Sequence, residues 1–499
     1  MNREFLLNAI FLVFVNVLIK PFYVFGIERT IQDTVGAETY GLYATLFSFT
    51  FLLFIVNDFG IHYFNNRTIA RHPQLLGRYF PNILMLKTML TGIYLVLVFA
   101  AALVRGFERE VFYLIFFIAL NHVLISLVAW LRSNISGLGM YRTDSLVSTL
   151  DKIILIILCA LLLWGGIFTG DFQIKWFVHA QNTAWFLTAL TAFFIVKKQL
   201  HRPLRLRFNW PFSLAVLKKS APYALAVFLM TAYTRLDIVI LEWMLPDGRH
   251  EAGVYAAAYR LLDAFNMVGF LFAGLLLPMF ATLLRKQEKV QKKEVTLSKK
   301  VAPRDGEIPS LLRFALHLIW AGTITLAVSS FFFREEIMLW LYPATATPYY
   351  GEVLACIILT LVPFSGIFIY STLLTANESL RKMNRLFFTG MVVNVALNLL
   401  LIPHLKAVGA GAAALSTQAF VLIGQMWIAK KELRLPTEWK QVAKIGGFAL
   451  LVILVNWQLY QLPGVAWLLK FSAAIASGLL LALQFRLVRL KMLFDLAKG

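Results

Sequence analysis

The sequence is short of charge and almost free of cysteine: 15% of its 499 residues are charged and two are cysteines. A soluble chain of this length divides into about three domains, each with a polar coat. Such coats need about a quarter of all residues to be charged. That charge is missing, which excludes a soluble enzyme and a disordered chain. Cys159 and Cys356 each lie inside an apolar run, so a secreted disulfide scaffold is excluded too. Metal-ligand spacings of His and Cys, a phosphate-cradling P-loop and a nucleophile elbow are all absent from the sequence. No cofactor, no metal site, no catalytic residue and no direct ATP coupling are therefore expected.

What the chain has is apolar length. Hydrophobic residues make up 60% of it, and the mean hydropathy is +0.73. A helix crosses the hydrocarbon core with about 20 mostly apolar residues. About fourteen such segments occur, near 5–27, 40–64, 79–104, 111–131, 145–168, 174–196, 213–245, 252–284, 310–333, 349–376, 384–403, 407–429, 442–461 and 464–485. The first continues past Gly26 without a small-residue cleavage site and reads as a retained helix. Gln461-Leu462-Pro463-Gly464 punctuates a turn between the last two. The fold class is thus an all-α polytopic membrane protein.

The net charge of +21 is a matter of topology rather than of nucleic-acid binding. With the N-terminus cytoplasmic, inner loops and tails hold about 34 of the 47 Lys and Arg, and outer loops about 7. The richest inner loops run from Lys197 to Lys219 and from Arg285 to Arg313. The polar stretch Arg285 to Arg304 reads as a mobile loop near mid-chain. Both termini are expected in the cytoplasm, with the chain multi-pass in a membrane and held among anionic lipids.

An internal repeat organises the spans. Gly36-Ala37-Glu38-Thr39-Tyr40-Gly41-Leu42-Tyr43-Ala44 opens the second segment, and Glu251-Ala252-Gly253-Val254-Tyr255-Ala256 opens the eighth. Both carry Glu, a short gap and Gly-x-Tyr-Ala, and six spans separate them, as in parallel repeats. This predicts an N-lobe at 1–208 (helices 1–6), a C-lobe at 209–430 (helices 7–12) and two further helices at 431–499, with a central cavity suited to alternating access.

Val56-Asn57-Asp58-Phe59-Gly60-Ile61 with Asn66-Arg67-Thr68-Ile69-Ala70-Arg71, Tyr255-Ala256-Ala257-Ala258-Tyr259-Arg260-Leu261, and Asn394-Val395-Ala396-Leu397-Asn398 through Pro403 to Gly409-Ala410-Gly411 lie in order along the chain. Together they resemble the Wzx-type polysaccharide flippases of the multidrug/oligosaccharidyl-lipid/polysaccharide (MOP) superfamily. The resemblance implies a non-enzymatic flippase that moves a polyprenyl-pyrophosphate-linked oligosaccharide to the outer leaflet for O-antigen, capsule or exopolysaccharide synthesis. It implies a coupling ion, H+ or Na+, and other polysaccharide assembly proteins as partners. Lipid II flippases share the architecture and are the main alternative, followed by MATE-like drug/ion antiporters. A membrane-embedded glycosyltransferase or polymerase would want catalytic carboxylates in a long outer loop. The longest here, Arg334 to Tyr350, offers only Glu335 and Glu336, close to the membrane.

Charges inside spans mark functional candidates because they are expensive there. Lys20, Arg235 and Arg260 fall in the outer half of helices 1, 7 and 8, and Lys20 and Arg235 occupy matching depths in the two repeats. They are the candidate pyrophosphate grip, Arg being capable of bidentate bonding. Against this, Lys20 could snorkel to the outer headgroups, and Arg260 could pair with Asp263 three residues on. Arg235 and Asp237 are two apart and point to different faces. Tyr233, Tyr255 and Tyr259 are sugar-stacking candidates with Tyr40 and Tyr43, although tyrosine also collects at lipid interfaces. Asp237, Glu242 and Asp263 read as counter-charges or ion-coupling groups. Asp58 and Arg67 read as a gate or packing pair at the inner end of helix 2. Lys87, Asp151 and Lys152 near the cytoplasmic ends read as snorkelling groups, and Asn394 with Asn398 as an interhelical hydrogen-bonding face.

The topology has a direct check. A cysteine at position 248 should be labelled by an impermeant thiol reagent from outside, and one at position 295 only from inside; the opposite pattern refutes the assignment.

Overall fold

A computed structural model describes residues 19, 21–166, 171–200, 208–297, 306–436 and 439–487. Among these residues the secondary structure is helical, without strands. That follows from the solvent: in lipid each backbone N–H and C=O must bond within its own helix. In chain order the helices are α1 (Arg29–Val35), α2 (Ala37–Leu52), α3 (Phe54–Asp58), α4 (Ile61–Arg71), α5 (Leu76–Arg105), α6 (Arg109–Gly137), α7 (Tyr141–Trp164), α8 (Ile174–Lys198) and α9 (Trp210–Met244). They continue as α10 (Gly248–Leu297), α11 (Glu307–Phe332), α12 (Arg334–Leu341), α13 (Pro348–Leu359), α14 (Leu361–Ala376), α15 (Leu380–Leu433), α16 (Trp439–Gln461) and α17 (Trp467–Gln484). A π-helical stretch, Tyr23–Glu28, leads into α1.

Among the described residues nine helices are long and apolar enough to cross a membrane, or ten if the bent pair Ala37–Leu52 and Phe54–Arg71 is one span. The chain is therefore a multi-pass, all-α membrane protein. Some limits differ from the sequence expectation. The segments 384–403 and 407–429 both lie within α15, as two helices that meet at a kink where Lys406 is non-helical. The basic stretch 285–297, read above as loop, instead continues α10, which is 50 residues long. Its Lys, Glu and Gln are good helix formers once clear of lipid. The segment after Phe333, read above as an outer loop, folds in part as α12.

Two compact units divide the chain, Met1–Ala256 and Ala257–Gly499. In the first, α6 lies against α2, α4, α5, α7 and α8, while α9 packs along α2, α3, α4 and α5. Its core gathers Ile61, Ile69, Phe80, Ile83, Trp130, Leu131 and Val216, with Phe80 stacked on Trp130 at 4.7 Å between centroids. In the second, α11 lies against α13, α14, α16 and α17. Ala321, Ile324, Phe448, Val452 and Ala482 form the core that fastens the last two helices to it.

The α11–α17 contact depends on a missing side chain. A Cβ at Gly478 would lie 2.4 Å from Thr325 Cγ2. Gly478→Val should lower the thermal midpoint of the detergent-purified protein, with a cost of about 1–3 kcal/mol from overpacking. An unchanged midpoint would mean that α17 docks elsewhere.

Candidate functional site

The charged and polar groups of the first unit concentrate on a broken helix. Phe59 and Gly60 both take left-handed backbone conformations, φ 47° and 66°, which stop α3 and restart the chain as α4; ahead of α3, at Leu53, the span bends by 45° between Ala37–Leu52 and Phe54–Arg71. A break inside a membrane span frees backbone groups that side chains must satisfy. Asp58 does so first: its Oδ2 accepts from the Gly60 N–H at 3.1 Å. The same oxygen accepts from His62 Nδ1 at 2.8 Å. Its other oxygen faces Lys87 Nζ of α5 at 3.6 Å. Lys87 in turn donates to Ser126 Oγ of α6 at 2.6 Å. Asn57 donates to the His122 carbonyl at 3.3 Å and accepts from Thr91 at 3.0 Å. His122 Nε2 donates to the Phe47 carbonyl at 3.2 Å. Carboxylate, ammonium, imidazole, hydroxyls and amides thus join in one hydrogen-bonded cluster.

Two glycines let this span approach its neighbours. A Cβ on Gly60 would lie 2.9 Å from the backbone N of Ala224 in α9. A Cβ on Gly41 would lie 1.8 Å from the Arg249 carbonyl, and one on Gly253 1.9 Å from the Ala37 carbonyl. Gly41 and Gly253 are the glycines of the two repeat motifs, so the repeated elements cross each other through the residue they share. Gln32 ties the crossing by donating to the Gly253 carbonyl at 2.9 Å. Below Gly60, Tyr63 stacks against Tyr223 of α9 at 6.3 Å between centroids, and Arg67 donates to the Tyr223 hydroxyl at 3.3 Å. The seam between the broken span and its neighbours is therefore held above and below the polar cluster.

The candidates from the sequence fall as follows. Arg235 is half-buried on α9, within electrostatic reach of His122. Asp237 is buried and accepts from the Tyr255 hydroxyl at 2.9 Å. Glu242 pairs with Arg105 of α5 at 3.0 Å, a counter-charge. Tyr40, Tyr43, Tyr233 and Tyr255 are buried. Tyr40 donates to Glu28 at 3.2 Å, and Tyr43 shares a hydrogen bond with Gln181. Tyr259, Arg260 and Asp263 are half-buried on the part of α10 in the second unit. Asp58 and Arg67 turn to different neighbours, His62 and Lys87 for the first and Tyr223 for the second. Lys20 lies outside the described residues.

One further reading is corrected. Lys87 does not snorkel: it is 3% exposed, and 11 residues into α5 it lies about 16 Å along the helix. Lys152 pairs with Asp151 at 3.3 Å and sits over the rings of Tyr23 and Trp185, at 4.5 and 5.4 Å. Asn398 bonds its own-helix neighbour Asn394. Sequence reasoning passed over His62, His122 and Tyr223; the signal was a His four residues after Asp58 and another inside an apolar run. Cys159 and Cys356 are free. Among the described residues no three His, Cys, Asp or Glu side chains converge as a metal site would require.

The comparisons place this multi-helix membrane chain in a family and a fold. The family model described as "Polysaccharide biosynthesis protein" matches residues 5–284, more than half of the chain. The chain belongs to that family. Among solved structures it is similar to the lipid II flippase MurJ in an inward closed conformation, with a TM-score of 0.65 at 15% identity over 96% of each chain. It is also similar to a multidrug resistance MATE family transporter of the MOP superfamily in an inward-facing conformation, with a TM-score of 0.59 at 14% identity, covering 81% of this chain and 94% of that one. A MOP superfamily transporter from Pyrococcus furiosus gives 0.57 at 12% identity, over 87% and 97%. No curated protein sequence matches. The fold is that shared by these MOP superfamily structures.

The buried pair predicts a thermodynamic cycle. Lys87→Met strands the Asp58 carboxylate and should destabilise the protein by about 3–5 kcal/mol. Adding Asp58→Asn should restore much of that loss, measured as thermal midpoints in detergent. Purely additive losses would show that the two groups do not interact.

Proposed function

We propose that this chain is a flippase for a polyprenyl-pyrophosphate-linked oligosaccharide, working by alternating access in bacterial surface polysaccharide synthesis. The observation that carries the reading is membership of the polysaccharide biosynthesis family over residues 5–284. The chain is an inner-membrane protein with fourteen spans and both termini cytoplasmic. Its repeat organises an N-lobe at 1–208, a C-lobe at 209–430 and two extra helices at 431–499. A proton or sodium gradient drives it, and other polysaccharide assembly proteins surround it. Transport of lipid II is the rival, but the likeness to MurJ at 15% identity speaks to fold alone.

The cargo has an anionic pyrophosphate, a polar glycan and an isoprenoid tail. Arg235, with Lys20 and Arg260, grips the pyrophosphate, and Tyr233, Tyr255 and Tyr259 stand near the glycan. An Arg inside a membrane helix is unfavourable by about 2.5–3.5 kcal/mol on insertion scales, so a purely structural role would have cheaper apolar substitutes. Asp237 and Tyr255 brace each other, two residues along α9 from the Arg235 guanidinium. Asp237, Glu242 and Asp263 balance the local charge.

Arg235→Ala should cut glycan export about tenfold or more, since a charge-assisted contact is worth about 1.5–3 kcal/mol. Protein abundance should stay near wild type. Arg235→Lys should keep part of the activity, because the charge survives while the planar fork is lost. Normal export by Arg235→Ala, at matched abundance, removes Arg235 from the site.

A further inference from the structure

The polar cluster at the helix break is more than a structural patch, because one of its members faces outward. Asp58 and Lys87 are closed in, with side chains 7% and 4% exposed, whereas the His62 side chain is 27% exposed. The Asp58 carboxylate can only accept, so the 2.8 Å contact fixes His62 Nδ1 as the donor. That leaves Nε2 as the nitrogen on the accessible side that can take up a proton. Histidine is the side chain whose charge ordinarily changes between about pH 5 and 8.

The surroundings decide what that proton does. His62 touches Asp58 and Tyr63; behind them stand Lys87 of α5, paired with Asp58, His122 of α6, whose carbonyl holds Asn57, and Tyr223 of α9, which meets Tyr63 and Arg67. Arg235 acts on His122 from α9. With His62 neutral, Asp58 and Lys87 cancel and the cluster carries no net charge. With His62 protonated, one carboxylate faces two cations in surroundings of low dielectric, with two arginines nearby. An uncompensated charge in such a place is costly, and water relieves the cost. The nearest way to admit water is to part the seam beside it. The His62 ring lies 3.9 Å from that of Tyr63, and Tyr63 forms the stack with Tyr223 that closes the seam below Gly60.

We infer that His62, Asp58 and Lys87 form a proton-binding site whose occupancy loosens the inner seam between α4 and α9. The ligand is a proton taken up at His62 Nε2, with Asp58 as fixed counter-charge and Lys87 as tethered cation. The ammonium of Lys87 already occupies the place among Asp58 and Ser126 oxygens that a bound metal cation would need. That favours proton over sodium as the coupling ion. The left-handed pair Phe59-Gly60 between Asp58 and His62 is the joint that a changed Asp58–His62 contact would turn. Calling the seam a gate rests on the flippase reading above; the binding of the proton does not.

The test needs no cargo. Ala224 is 3% exposed and packed at Gly60, so a cysteine there reports the seam. The full chain with Cys159→Ser, Cys356→Ala and Ala224→Cys is reconstituted in vesicles and labelled with a small methanethiosulfonate. Each rate is divided by that of the same protein unfolded at the same pH, which cancels thiol ionisation. Between about pH 8 and about pH 5.5 the normalised rate should rise several-fold, and His62→Gln, which keeps a hydrogen bond to Asp58, should flatten the rise. A flat profile with His62 present, or an equal rise in folded, monodisperse His62→Gln, overturns the proposal. Export by the same variants separates the two readings. A pH-dependent seam with normal export in His62→Gln leaves the proton site standing and removes it from transport. A flat seam alongside failed export in Arg235→Ala removes the proton site and leaves the flippase reading intact.

Discussion

Lipid supplies no hydrogen bonds, and the architecture follows from that one constraint. Every polar group taken below the headgroups must find its partner in protein. Where the apolar runs are unbroken, the helices meet the demand alone and need only small residues for close packing, as Gly478 does against Thr325. Where the second span breaks at Phe59 and Gly60, the demand falls on side chains. The result is a knot of Asp58, His62, Lys87, Ser126, Asn57, Thr91 and His122 drawn from four helices. Holding such groups together costs more than an apolar kink would, and it concentrates titratable chemistry at the point where the chain can bend.

The repeat gives this knot its setting. The two Gly-x-Tyr-Ala copies are elements that touch, Gly41 against the Arg249 carbonyl and Gly253 against the Ala37 carbonyl. A close backbone crossing between repeated elements is a natural fulcrum, because each motif presents the other with the same small surface. Gly60 against Ala224 provides a second close approach further along the span. Beside the second approach Tyr223 meets Tyr63 and Arg67.

Much of the fold was legible in the sequence because apolar length is a one-dimensional signal. The segments from 40–64 onward each fall on helix, and family membership agrees with the motifs quoted for it. The site was harder to read because sequence fixes the depth of a residue better than the direction it faces. Lys87 reads from the sequence as a snorkelling lysine, yet it turns to Ser126 and Asp58. Tyr43 and Tyr255 have the depth of interfacial tyrosines, yet they bond Gln181 and Asp237 inside the unit. The break itself went unread, although Asn57-Asp58 just ahead of Gly60 is a breaker signal within the span. The helical extension over 285–297 was missed because polarity was taken for loop, while Lys, Glu and Gln propagate a helix well in water.

The central claim, that this chain carries a lipid-linked oligosaccharide between leaflets, is tested most directly by cargo accessibility in vesicles. A polyprenyl-pyrophosphate oligosaccharide is placed in both leaflets, and an impermeant glycosidase is added outside. In vesicles holding the chain, digestion should run to completion as inner-leaflet cargo is delivered; in empty vesicles it should stop once the outer leaflet is spent. Equal incomplete digestion in both, with folded protein present, would contradict the account.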